Sequence, residues 1–295
     1  MVLVLFATSG CTRKSAESWV VPEVPALPLA EGLVTSVPPS GSLELHRVLV
    51  AEAGRTYAIA IEHEVKVRGR GQSPVAISLR EEFEVAEKED LPDGRATVTW
   101  TVGSADVTVD PAGDETGPAI EEDLEGVVVK RSLDGTGVAK GDPVDGPSRE
   151  VIDTMSRLIA PLPDRNVNPG ETWPFKSVSM RMLDQGASAK LDRDGTVRFA
   201  GIVRQDERDL LLLEASWKVR IEGGGVLGGR KGIVTLGEGS GQAAYLVQPD
   251  TGVTVQAEAS EATHLLFEMA NGARPQVLEQ TTVLSSELRL KDPED

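Results

Sequence analysis

The chain of 295 residues carries a single cysteine, Cys11, and only three histidines, His46, His63 and His264. One thiol excludes an internal disulfide, so the fold relies on its core. Three scattered histidines lack the short spacing of a zinc site. No apolar run approaches the roughly 20 residues that a membrane-spanning helix needs. Aromatic residues make up only 4% of the chain, too few for the aromatic girdles of an outer-membrane barrel. Positive charge is short as well: 30 Lys and Arg stand against 47 Asp and Glu, for a formal net charge of -17. Such a field repels phosphate backbones and argues against nucleic acid as a partner.

Catalytic signatures are also missing. Gly239-Ser240-Gly241 lacks the spacing of a hydrolase nucleophile elbow. The glycines from Gly223 to Gly232 end in no Gly-Lys-Ser/Thr and read as a hairpin connection. Asp192-Arg193-Asp194-Gly195 lacks the first Asp and terminal Glu of a calcium loop and reads as a hairpin turn. Asp110, Asp114 and Glu115 form a second acidic loop with no further ligand signal. The runs Glu81-Glu82 and Glu121-Glu122-Asp123 are what a chain this acidic produces, and paired carboxylates for glycoside cleavage are not distinguished in them from solvated faces. His63 with Glu62 or Glu64 makes a weak base pair, because adjacent strand residues face opposite ways. No catalytic, cofactor-binding or metal-binding residue is assigned, and the expectation is a protein that is not an enzyme.

What the chain has is period-two alternation, the mark of half-buried strands. Tyr57, Ile59, Ile61, His63, Val65 and Val67 alternate with charged or small residues. Val75, Ile77, Leu79, Phe83 and Val85 repeat the pattern, with Glu81 out of phase on the apolar side. Ala96, Val98, Trp100 and Val102 follow the turn Pro92-Asp93-Gly94. One helix is predicted over 148–160, with Val151, Ile152, Met155, Leu158 and Ile159 on one stripe and Pro161 and Pro163 after it. Strands then resume to Leu290. The expected fold class is mainly β: long antiparallel strands in a curved sheet or open half-barrel, wetted on one side, with one amphipathic helix packed on it.

Cys11 follows the apolar run Val2 to Ala7 and the small residues Thr8-Ser9-Gly10. This resembles the acylation site of a bacterial lipoprotein. The resemblance implies a signal peptide over 1–10, with a start upstream of Met1 because the apolar run is short and no Lys or Arg precedes it. Multiple acylation of Cys11 would hold the protein on a membrane without a spanning helix. Thr12 in place of Asp favours the outer membrane over the inner. Residues 11–42, with Pro22, Pro25, Pro28, Pro38 and Pro39, read as anchor and tether; fully extended, about 30 residues reach on the order of 90 Å. The alternative is that Trp19, Val20, Val21 and Leu27 dock on the domain formed by 43–295.

The segment Ile159-Ala160-Pro161-Leu162-Pro163-Asp164-Arg165-Asn166-Val167-Asn168-Pro169-Gly170-Glu171-Thr172-Trp173 resembles a helix, Pro, V-x-x-G-[DE]-x-W pattern in a family of exported bacterial proteins of unknown function, many of them lipoproteins. The tail from Gly241 to Leu290, with its Asp250-Thr251-Gly252 turn, is similar to that family's final strands. The resemblance implies topology and export. Gly170 is expected to permit a tight turn that aims Trp173 at the helix. The expected function is a lipid-anchored cell-envelope (periplasm-facing) binding or scaffolding module. Its partners would be the membrane through Cys11 and a hydrophobic ligand or an envelope protein. A lipid or lipoprotein carrier and an envelope hydrolase using carboxylates are the alternatives.

Overall fold

The computed structural model describes residues 22–29, 33, 43–45, 54–69, 74–90, 97–111, 124–133, 139–140, 148–163, 165–184, 186–205, 207–227, 230–270 and 276–291. Cys11, Trp19 to Val21, His46, Asp114, Glu115, the 121–123 acidic run and the turns at 92–94 and 271–272 lie outside the described residues.

The chain builds β1 (Leu43–Leu45), β2 (Gly54–Gly69), β3 (Val75–Asp90), β4 (Thr97–Pro111), β5 (Val128–Leu133), β6 (Ala139–Lys140), α1 (Ser148–Leu158), β7 (Arg165–Val167), β8 (Thr172–Asp184), β9 (Gly186–Gln205), β10 (Arg208–Leu227), β11 (Arg230–Val247), β12 (Thr254–Met269) and β13 (Gln276–Leu290). Eleven strands form one sheet in the order β6-β5-β4-β3-β2-β13-β12-β11-β10-β9-β8, and β1 pairs separately with β7. Every neighbouring pair is antiparallel. Two meanders, β2 to β6 and β8 to β13, are thus joined where β2 meets β13, with Leu284 opposite His63.

The sheet is curved and not closed. α1 touches β5 near one edge, β8 at the other, and β11, β12 and β13 between them. A helix that reaches both ends of one sheet must lie in its concavity, which makes the fold an open half-barrel around α1. Val151, Met155 and Leu158 are fully buried there, each worth about 1.5–3 kcal/mol on burial. An isolated helix of this length is marginal in water, so this contact is what forms it. It ends at Leu158, two residues short of Ala160, although the Ile159 N–H still donates to the Met155 carbonyl at 2.9 Å. Gly170 has φ 87°, and the turn brings Trp173 back so that its Nε1 donates to the Pro161 carbonyl at 2.9 Å.

Two local expectations are corrected. Residues 192–195 are mid-strand in β9 rather than a hairpin turn. Gly195 sits opposite both Phe175 and Trp217, and a Cβ there would meet the Trp217 Cβ at 2.6 Å and Phe175 Cε1 at 2.8 Å. The glycine makes room for two rings, which outweighs its poor strand propensity. Residues 223–227 and 230–232 likewise continue β10 and β11 rather than forming one loop.

The outer face is not wetted throughout. Leu27, Leu29 and Leu33 pack with Val203, Leu210, Leu212, Ala244 and Leu246 in a second apolar cluster on β9 to β11. The Leu29 N–H donates to Glu258 Oε2 at 2.7 Å and Gln242 Nε2 donates to the Pro25 carbonyl at 2.6 Å. Residues 22–29 are therefore a strap docked on the sheet, and the extended-tether expectation fails for them.

Candidate functional site

The concave face holds a cluster of charged side chains between α1 and the strands. Asp153 and Arg157 come from α1, Arg181 and Ser179 from β8, Arg193 from β9, Trp217 from β10 and Glu261 from β12. Arg193 is its centre. Its Nε lies 2.6 Å from Glu261 Oε2 and its Nη2 3.0 Å from Glu261 Oε1, a bidentate pair, while Nη1 lies 2.9 Å from Asp153 Oδ1 and donates to Ser179 Oγ at 2.7 Å. Arg181 Nη2 reaches Asp153 Oδ2 at 3.1 Å and Glu261 Oε1 at 3.7 Å. Arg157 Nη2 lies 3.6 Å from Asp153 Oδ2, and its Nη1 donates to Ser286 Oγ at 3.2 Å. Trp217 Nε1 donates to Glu261 Oε2 at 3.0 Å.

Burial alone would push both carboxyl groups up. For Asp153 the nearby Arg193, Arg157 and Arg181 outweigh it and hold the group well below the usual carboxylate range. Glu261 is lowered against the same desolvation, chiefly by Arg193. Burial opposes the charge on Arg193 too, but Asp153 and Glu261 raise it further. Both carboxylates are thus fixed as anions, a state suited to holding cations rather than to donating protons.

His63 of β2 and Glu81 of β3, polar residues on the apolar phase of their strands, meet on the same concave wall with 3.8 Å between His63 Nε2 and Glu81 Oε1. Burial, then Arg181 and Arg157, hold His63 well below its ordinary value. A separate cluster binds Glu87 and Glu89 to Arg55 Nη1, each at 2.9 Å, and Trp100 Nε1 donates to Glu87 Oε2 at 2.8 Å. His264 lies on the opposite face, 2.9 Å from Glu279. Histidines 63 and 264 are therefore not brought together. On the outer face a groove of about 500 Å³ runs over Ala58 and Ala60 between Glu82, Glu84, Asp106 and Glu287. No group of three or more His, Cys, Asp or Glu suited to a metal ion occurs among the described residues.

The concave cluster was not anticipated, yet its signal was present. Arg193 is in phase with Leu191 and Val197, and Glu261 with Ala259 and Leu265, each a charge on the dry phase of a strand in the way Glu81 is. Asp153 and Arg157 stand four apart on the helix, the spacing of facing side chains.

No family model matches the chain, and no curated protein matches it. Among solved structures, the chain is similar to a Nitrosomonas europaea protein described as a candidate AttH, at 8% identity, over 78% of this chain and 92% of that one, with a TM-score of 0.11. A score at that level carries neither fold nor function to this chain.

Proposed function

We propose that the protein is a lipid-anchored binding or scaffolding module of the bacterial cell envelope, attached through acylated Cys11 and facing the periplasm from the outer membrane. The observation that supports this most is the strap. Pro22 to Leu29 are fastened to the outer face of the sheet, so a lipid on Cys11 would be coupled to the folded domain through about 11 residues rather than a free 30-residue tether. Eleven extended residues span at most about 40 Å, which would keep the domain beside the bilayer. An acidic surface resists collapse onto anionic lipid headgroups, leaving the long exposed faces of β2, β3 and β4 for a partner.

The carrier alternative asks for an open apolar concavity, whereas α1 and packed side chains fill this one. The hydrolase alternative asks for a proton-donating carboxyl, whereas Asp153 and Glu261 are held as guanidinium-bound anions. Metabolic labelling with an alkyne palmitate tests the anchor: label on the natural chain and none on Cys11→Ser is expected. An unlabelled natural chain in membrane-free fractions overturns it.

A further inference from the structure

We propose that the outer face at the tip of the β10–β11 hairpin is a membrane contact, which enters the interfacial layer of a bilayer carrying anionic headgroups. Among the described residues five large aliphatic side chains are exposed, and three of them, Val226 (40%), Ile233 (61%) and Leu236 (38%), gather at this tip. Register puts them on one face. Lys231 lies opposite Val226 and Gly224 opposite Ile233, while on β12 Glu268 lies opposite Ile233 and Leu266 opposite Leu236. A bulge between Val234 and Leu236 absorbs the odd residue, so Ile233 and Leu236 point the same way. Leu266 and Glu268 alternate with the core residues Leu265 and Phe267, which makes the shared face the outer one. Gly224 brings no side chain to cover Ile233. Clustered exposure of this kind marks a contact with a protein or a membrane.

Charge and chain direction favour the membrane. In a chain of net charge -17, this tip carries Lys231 on the patch and Arg230 at the turn against one carboxylate, Glu268. Farther along the strands Glu222 and Glu238 stand beside Arg220, and Glu279 beside Arg68. Charges more than about 8 Å away are screened at physiological salt, so headgroups at the tip meet its cations rather than the acidic remainder. The strap supplies the second argument. Leu29 is held at Glu258, opposite Ala244, and Pro25 at Gln242, two residues nearer the tip. Followed toward its N-terminus, the strap therefore runs along the outer face toward the patch. An acyl chain on Cys11 and the patch would then approach one bilayer from the same face, and in this respect the inference rests on the anchor reading.

The test uses the full chain with Cys11→Ser, so that no acyl chain contributes, and vesicles of phosphatidylcholine with or without phosphatidylglycerol. Flotation should show binding that is stronger with phosphatidylglycerol. Lys231→Gln should weaken it about fivefold, the effect of one cation near an anionic surface, and Ile233→Ser about tenfold, the loss of one inserted aliphatic side chain. Both side chains are solvent-exposed, so the variants keep the fold. Because Cys11 is the only cysteine, Ile233→Cys in the Cys11→Ser chain takes a single environment-sensitive fluorophore. Its emission should shift to the blue on vesicles, and the same label at Asp106→Cys, on exposed β4, should not shift. Absence of binding, binding unmoved by both variants, or equal shifts at the two labels overturns the contact. A blue shift that grows with protein concentration in the absence of lipid assigns the patch to a second copy and also overturns it. The anchor fails separately: vesicle binding by Cys11→Ser with no palmitate on the natural chain removes the anchor and leaves the contact, and the reverse pair of results removes the contact and leaves the anchor.

Discussion

At Trp217 the indole is bounded by glycine on both neighbouring strands, Gly195 on β9 and Gly241 on β11. A Cβ on Gly241 would lie 2.4 Å from Trp217 Cε2 and 2.5 Å from Nε1. Those atoms belong to a rigid ring pinned by its hydrogen bond to Glu261 and by an edge-to-face contact with Phe175 at 6.0 Å, so the ring cannot yield cheaply. Gly241→Ala should therefore destabilise by about 1–3 kcal/mol, the usual cost of overpacking. Trp217→Phe in the same chain should recover part of that loss, because the smaller ring leaves room for the methyl. Urea unfolding of the two single variants and the double variant measures the coupling; strictly additive losses would mean that Gly241 is not there for the indole.

At the scale of elements, most of the fold was legible. Alternation gave β2 and β3 because their two faces differ sharply, and α1 came from its apolar stripe and the prolines after it. The Gly170 turn and the core role of Trp173 followed from chemistry confined to a few residues. Asp192 to Gly195 misled for a physical reason: Asp and Gly signal turns only when no distant ring or ion pair claims the positions between them, and here Arg193 and Trp217 do. The concave cluster was obscured similarly, since five strands and a helix must assemble before its charges meet. The strap is the element whose two options stayed open, because a Pro-rich segment with scattered leucines reads equally as spacer or as packed chain. Its docking predicts that Leu29→Ser lowers stability by about 1.5–3 kcal/mol, the loss of one buried leucine. Limited proteolysis should then cut near residues 22–33 faster in the variant. Equal cleavage of both chains would mean that the strap is not held by that cluster.

For the whole molecule, the buried titrating groups set where acid weakens the fold. His63 has a folded value well below 6.5, so between that value and about 6.5 the unfolded chain binds more protons than the folded one. Its contribution is complete above about pH 6.5 and declines as pH falls, by up to about 1.4 kcal/mol per pH unit. Asp153 and Glu261 act in the same direction further down. Their folded values are depressed, so the stability they add is present above about pH 4 and is lost as pH drops through the lower folded values. Glu81 faces His63 directly, and Arg181, Arg157 and Asp153 act on it from β8 and α1. Of these, the two arginines and the aspartate keep their charge between pH 5 and 7. The decline in that window should therefore follow the imidazole. Urea midpoints at pH 7, 6 and 5 should fall for the natural chain and stay nearly level for His63→Gln, with both chains weakening below pH 4. Parallel slopes between pH 7 and 5 would show that His63 is not the group taking up the proton.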